Sequence, residues 1–290
     1  MPQVKIGSNY FRKSLGDYSN WRWSFARELC QNSIDANAKN INVTIKHDRS
    51  TTTIEFSDDG CGMTEDVITD KLFAIGESNK DFNNAIGGFG IAKLVIYLAH
   101  KSYEIKTTGL HITGSGGDYE ITKTTTTHNG TTSIVTMDSN EQGLAAHFRA
   151  FITLSGWRGT FTLNGETIDT RLNKGAYRKS FKWCDIHSNN SHHGLMVVRM
   201  GIMPMFIRNI NFKGCIVITM DGASADYLQS SRDGLKFQYQ NELDNFIVTL
   251  AVNTKSALKN KEPCKGRGPA ASLPASAGGC GNSWPGRRAP

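Results

Sequence analysis

Arg27-Glu28-Leu29-Cys30-Gln31-Asn32-Ser33-Ile34-Asp35-Ala36 is the stretch on which the reading of this chain turns. It has the pattern of a helix that carries Glu28, Asn32 and Asp35 at offsets i, i+4 and i+7, along one stripe. Phe25, Leu29 and Ala36 flank that stripe, and Trp23, Cys30 and Ile34 lie on the far side. A helix so largely apolar belongs in an interior, so its polar stripe must face something polar. A magnesium–nucleotide complex fits: a glutamate can activate a water, and an Asn side-chain oxygen is a hard ligand for Mg²⁺. A cap network or a wet helix face fits the same stripe.

Four further motifs follow in order. Asp58-Asp59-Gly60-Cys61-Gly62-Met63 comes directly after the alternating segment Thr53-Ile54-Glu55-Phe56-Ser57, a strand pattern. An Asp at a strand end, followed by glycines that let backbone approach closely, can present its carboxylate to a flat base. A carboxylate accepts a hydrogen bond from an exocyclic amine, which adenine has and guanine lacks at that edge. A simple Asp-Gly turn reads equally from these residues. Next come Gly76-Glu77-Ser78-Asn79-Lys80 and Gly87-Gly88-Phe89-Gly90-Ile91-Ala92-Lys93, running into an apolar helix candidate from Ile91 to Ala99. Glycine-rich backbone at a helix start is an anion site, because unpaired N–H groups point outward. It is not a Walker A loop, and Lys93 stands where a dinucleotide fingerprint needs its third glycine. Gly130-Thr131 then opens another strand candidate, Thr131 to Val135.

Together these segments, over about residues 20–137, resemble the GHKL ATPases: gyrase, the large heat-shock chaperones, histidine kinases and MutL. Glu28 to Ala36 resembles the family's N box in its MutL form. Asp58 to Met63 resembles its Asp-Asn-Gly-x-Gly box, with Asp59 in the usual Asn place. Ser78 and Lys80 resemble the lid segment, and Gly87 to Gly90 the phosphate lid. Gly130-Thr131 resembles the late Gly-Thr pair. The resemblance implies an α/β (α+β) two-layer sandwich of a mixed sheet and helices that holds ATP and Mg²⁺. It makes Glu28 the general base and Asn32 the Mg²⁺ ligand. It gives the adenine amine to Asp58, the base pocket to Gly60 and Gly62, and the base edge to Thr131. Phosphate falls to Gly88 and Gly90, with Gly87, Ser78 and Lys80 beside them in the lid. Asp35 on the stripe and Met63 at the end of the box count with the nucleotide-binding residues. Asp59 adds a negative charge there and is expected to face away.

A histidine kinase is disfavoured, since its phosphoacceptor helices precede the ATP domain and only about twenty residues do so here. The other branches place a second α/β domain after the first. The expected organisation is an ATP-binding domain over 1–140, a smaller transducer-like α/β domain over 141–260, and a disordered or foreign tail over 261–290. Thr160 to Glu166 suggests a strand entering a turn. Leu195–Met200, Met205–Arg208 and Cys215–Met220 are strand candidates, and a helix is expected from near Gln238 through Leu250. Arg232, Lys236 and Lys213 are candidates for a basic residue reaching the γ-phosphate. The combination also resembles ATP-binding proteins of bacteriophages, the rapid-lysis A type among them.

Cys184, His187, His192 and His193 lack metal-ligand spacing and read as a loop with exposed histidines. The six cysteines form no framework; Cys30 and Cys61 read as small packing residues, and a reducing cytoplasm is the expected setting. No stretch is long enough to span a membrane, and no signal sequence is legible at the N-terminus. Residues 261–290 hold five of the seven prolines and six glycines, too little apolar surface to fold alone. They also carry five Lys or Arg against one Glu, so residues 1–260 account for only +3 of the net +7. The basic balance therefore does not indicate a nucleic-acid surface on the folded part. The functional expectation is an ATP-hydrolysing protein that works by nucleotide-gated dimerisation. The alternatives are a non-hydrolysing ATP-dependent switch in a phage or host assembly, and a DNA-processing subunit in the manner of MutL or topoisomerases.

Overall fold

The computed structural model describes residues 8–18, 20–74, 93–125, 129–170, 176–189, 193–220, 224–229, 232 and 234–259. The chain divides into two compact units, Met1–Val248 and Thr249–Pro290. In the second, the described residues belong to one helix; the expected tail over 261–290 lies outside the described residues.

The first unit begins with α1 (Ser8–Ser14) and α2 (Trp21–Asp35). At the start of α2 the Asn20 side chain accepts from the Trp23 amide at 3.1 Å, which satisfies one otherwise unpaired N–H. At its end Asn37 turns left-handed (φ 60°), and the Ala38 amide returns to the Ser33 carbonyl at 3.0 Å. A small polar residue that tolerates positive φ closes the helix there.

An eight-stranded sheet follows, in the order β5-β4-β3-β6-β2-β1-β7-β8. Its strands are β1 (Asn40–His47), β2 (Thr52–Asp58), β3 (Ser102–Thr107), β4 (Leu110–Ser115), β5 (Asp118–Lys123), β6 (Thr131–Met137), β7 (Thr160–Leu163) and β8 (Glu166–Ile168). Alternation decides the faces. Ile41, Val43 and Ile45 of β1 are buried while Asn42, Thr44 and Lys46 are exposed. The register sets Val43 opposite Phe56, and Phe56 opposite Ser133, so the buried set continues across the sheet on one face. That face is covered by α2 and by α4 (Leu144–Leu154), whose Phe25, Phe148 and Phe151 are fully buried, as is Phe161 of β7 beneath them. The Phe148 ring lies 6.2 Å from Phe25 and 6.0 Å from Phe56. Burying each such ring stabilises the fold by roughly 1.5–3 kcal/mol. The result is the expected mixed-sheet sandwich.

Among the described residues, two short elements lie between β2 and β3. One is α3 (Glu65–Val67), which runs on into a wider turn at Ile68–Leu72; the other is the single wide turn Leu94–Leu98. The buried Lys93 ammonium donates to the Lys71 carbonyl at 2.8 Å and to the Ala74 carbonyl.

The first sheet runs past the boundary expected at residue 140. After α4 the chain returns to pair β7 with β1 in parallel, and Asn164-Gly165, both at positive φ, turn it into β8. The strand and turn read from Thr160 to Glu166 are present, but they complete the first sheet. The physical reason is that α4 buries its aromatic face against α2 and the sheet, which delivers β7 to the free edge of β1.

The second sheet has the order β12-β11-β13-β10-β9, with β11 and β13 parallel. Its strands are β9 (Ala176–Ser180), β10 (Cys184–Asn189), β11 (Leu195–Met200), β12 (Met203–Asn209) and β13 (Cys215–Met220). The short α5 (Ser224–Tyr227) follows. α6 (Phe237–Lys259) packs beside β10, where the Trp183 indole donates to Glu242 at 2.7 Å. Three strands and this helix lie where the sequence places them. Cys184 and His187, expected in a loop, stand instead on β10, where Cys184 is buried and His187 half-buried. Hydrogen bonding across the ladder overrides the polar look of that segment. His192 lies outside the described residues.

His100, only 6% exposed, packs against the Trp21 and Phe25 rings, and its Nε2–H donates to the Val95 carbonyl at 2.8 Å. Burial pulls its pKa from 6.5 down to about 4, against the opposing pull of the Val95 carbonyl and Glu141. The unfolded chain therefore takes up this proton before the folded one does. The stability contributed by the neutral ring is present above about pH 6.5 and is lost as pH falls toward 4. Urea unfolding at pH 7 and pH 4.5 should show the wild type losing about 2–3 kcal/mol more than His100→Gln. Equal losses in the two proteins would remove His100 from the account.

Candidate functional site

The end of β2 meets α2 at a defined junction. The Ser33 hydroxyl donates to Asp58 Oδ2 at 2.8 Å, and the Cys61 amide donates to the Ala36 carbonyl at 3.1 Å. These two bonds bring the last turns of α2 and the Asp58–Met63 box into one place. Asp58 Oδ1 accepts from the Gly60 amide at 2.9 Å. Burial pushes the Asp58 carboxyl above the usual range, while the Ser33 hydroxyl and the Gly60 and Thr131 amides pull it back down.

Sheet register builds the rest of this wall. Asp58 lies opposite Thr131, and Thr131 opposite Thr107, in one row on the helix-covered face. The Thr107 hydroxyl donates to the Gly130 carbonyl at 2.9 Å, sits 3.3 Å from the Thr131 hydroxyl, and accepts from the Met63 amide at 2.8 Å. Thr108 donates to the Met63 carbonyl. Gly62, at φ 69°, passes so close that a Cβ there would meet Thr107 and Thr108 within 2.8 Å. Gly130, at φ 80°, leaves 2.0 Å for a Cβ against the Asp58 carbonyl. Both glycines are demanded by close backbone approach.

On α2 the stripe is partly open. Asn32 and Asp35 are exposed, whereas Glu28 is 8% exposed. Glu28 Oε1 accepts from Arg27 Nη2 at 2.6 Å and Nε at 3.1 Å. Arg232 is buried nearby. Burial lowers its pKa and the charge of Arg27 adds to that, while Glu28 and Asp35 pull it up. Of the three basic candidates in the second half, Arg232 is buried and lies in the field of Glu28 and Asp35, while Lys213 and Lys236 are exposed.

Asp59 turns away from this junction. Its carboxylate accepts from the Lys39 and Asn40 amides at 2.7 and 2.8 Å and from the Asn40 side chain at 2.7 Å, which together hold its pKa down. Cys30 is buried, but Cys61 is exposed and so is no packing residue. Ser78, Lys80, Gly87, Gly88 and Gly90 lie outside the described residues. The structure therefore joins Asp58, Gly60, Gly62, Met63 and Thr131 in one wall, which Ser33 and Ala36 tie to the helix that carries Glu28, Asn32 and Asp35. It adds Arg27, Ser33, Thr107 and Thr108, which sequence reasoning missed. Ser33 adjoins Asn32 in the same motif, and the Thr107-Thr108-Gly109 run has the look of an ordinary turn.

Residues 23–145 match the family described as "Histidine kinase-, DNA gyrase B-, and HSP90-like ATPase". That matched segment is of the GHKL type. The GHKL match takes in α2, the Asp58–Met63 box and β6. Among solved structures, the ATPase region of Saccharomyces cerevisiae topoisomerase II bound to ICRF-187 is similar to this chain at TM-score 0.50 and 10% identity. The similarity covers 80% of this chain and 85% of that one. At that identity the likeness is one of fold. The ATPase and transducer domains of topoisomerase II from Balamuthia mandrillaris align at TM-score 0.45 and 15% identity, over 63% of this chain and 60% of that one. No curated protein matches the chain. Among the described residues, no helix is long and apolar enough to cross a membrane.

Proposed function

We propose that this GHKL domain binds ATP with Mg²⁺ and hydrolyses it. The observation that carries the reading is the junction of α2 with β2, where one hydroxyl, Ser33, ties the Asp58 carboxylate to the helix that bears Glu28 and Asn32. Asn32 and Asp35 are exposed residues of that helix, and their side-chain oxygens are hard donors of the kind Mg²⁺ selects, so the residues present fit the ion. Bound Mg²⁺ would neutralise phosphate charge.

In this reading Asn32 holds the ion and Asp58 accepts from the adenine amine. Asp58 is a fitting acceptor because Ser33 and Gly60 already orient both its oxygens. Thr131, next to it in the sheet, faces the base edge, and Gly60, Gly62 and Met63 shape the pocket beneath. Glu28 takes the proton of the attacking water. Arg232 supplies positive charge for the γ-phosphate, and this is what would make the second sheet sensitive to ATP over ADP. Nucleotide-gated pairing of two copies follows from that sensitivity.

The test is direct. ATP turnover is measured with and without Mg²⁺, and with and without DNA, beside light scattering in ATP analogue, ADP or no nucleotide. The expected results are Mg²⁺-dependent turnover and a doubled mass with the non-hydrolysable analogue only. An unchanged mass in all three states removes the gated dimer and leaves ATP binding intact. Turnover without Mg²⁺ removes Asn32 as its ligand.

A further inference from the structure

The guanidinium of Arg27 is 2% exposed, and its bonds run in two directions. Nε and Nη2 both donate to Glu28 Oε1, at 3.1 and 2.6 Å. Nη1 donates to two backbone carbonyls far along the chain, Met205 at 3.0 Å on β12 and Arg232 at 3.2 Å. The Met205 carbonyl also accepts from the Trp23 indole at 2.8 Å, so two side chains of α2 converge on one peptide of the second sheet.

An arginine has five donors in a rigid planar fork, and moving one end of the fork moves the other. Here one end grips a carboxylate by a single oxygen, and the other end is set by the β12 backbone and the Arg232 turn. Arg27 and Glu28 are adjacent on α2, so they do not share a helix face, and the bond between them runs across the helix surface from one face to the next. The grip falls on Oε1, and Oε2 lies outside the fork.

We propose that Arg27 is a positioning residue: it sets where the Glu28 carboxylate stands and makes that position depend on the second sheet. The proposal rests on the reading of Glu28 as the base. A shift of β12 or of the Arg232 turn carries Nη1 with it, and the fork transmits the shift to Oε1. Lysine cannot reproduce this, because a single ammonium cannot span the carboxylate and both carbonyls.

The experiment uses the full chain and compares Arg27→Lys, Arg27→Met, Glu28→Ala and the double variant Arg27→Met/Glu28→Ala. ATP affinity and single-turnover hydrolysis are both measured. Arg27→Met should lower the hydrolysis rate about tenfold while ATP affinity stays within about threefold, and Arg27→Lys should recover only part of the rate. In the Glu28→Ala background, Arg27→Met should cost no further rate, because it acts through the carboxylate that is already gone. Full rate in both Arg27 variants overturns the proposal, as does a loss that multiplies with that of Glu28→Ala. If Arg27→Met does not fold, Arg27→Lys decides alone, by whether rate falls at unchanged affinity. Undiminished hydrolysis by Glu28→Ala would instead remove the base reading itself, and this inference with it.

Discussion

Glu28→Ala is expected to keep ATP binding and to lose about 10²–10⁴-fold in turnover, the usual effect of removing a general base. Binding should survive because Asp58, Thr131 and Asn32 stand on other turns and strands, and none of them is held by Glu28. The substitution also strips the buried Arg27 of its carboxylate, and an unpaired buried charge costs roughly 3–5 kcal/mol. Glu28→Gln therefore serves as the companion variant, since its amide oxygen still accepts from Arg27 but cannot take a proton from water. Both variants should bind ATP in calorimetry and both should show that loss of turnover. Wild-type turnover in Glu28→Gln would show that another group activates the water.

Asp58→Asn is expected to weaken ATP binding by about 1–3 kcal/mol, roughly 5–150-fold in Kd. The Gly60 amide needs an acceptor at Oδ1, so the Asn oxygen must lie there and its NH₂ must take the Oδ2 position beside Ser33. That places a donor where the adenine amine also donates. The wild type should accordingly prefer ATP to GTP, and equal affinity for the two would end the adenine role of Asp58. There is a pH signature as well. The ionised carboxylate is the acceptor, and burial raises its pKa. ATP affinity should be steady at neutral pH and fall on acidification earlier than for an ordinary carboxylate. Asp58→Asn should lack that acid limb.

Much of this architecture is legible in the amino-acid sequence alone. The 3.6-residue spacing of Glu28, Asn32 and Asp35 marks α2, and the alternation from Thr53 to Ser57 marks β2, because each pattern is set by neighbours within a few residues. The strands at Leu195–Met200 and Cys215–Met220 are equally plain as short apolar runs. What the sequence does not disclose lies at longer range. Arg27 gains its meaning from carbonyls 178 and 205 residues away. Nothing in the ten residues around it distinguishes it from a solvated arginine.

By itself, then, the sequence determined the helix that carries Glu28 and Asn32, the strand that ends in Asp58, and the glycines of the box after it, Gly60 and Gly62, whose backbone can approach closely. These are local matters of periodicity and allowed φ. The tertiary structure alone decided that β7 and β8 close the first sheet, because parallel pairing with β1 depends on where α4 can bury Phe148 and Phe151. It alone decided that Ser33 locks Asp58, that Asp59 turns to the Asn40 amide, and that Arg27 joins Glu28 to β12. Such bonds depend on which surfaces meet once the apolar faces are buried, and no local pattern encodes that meeting.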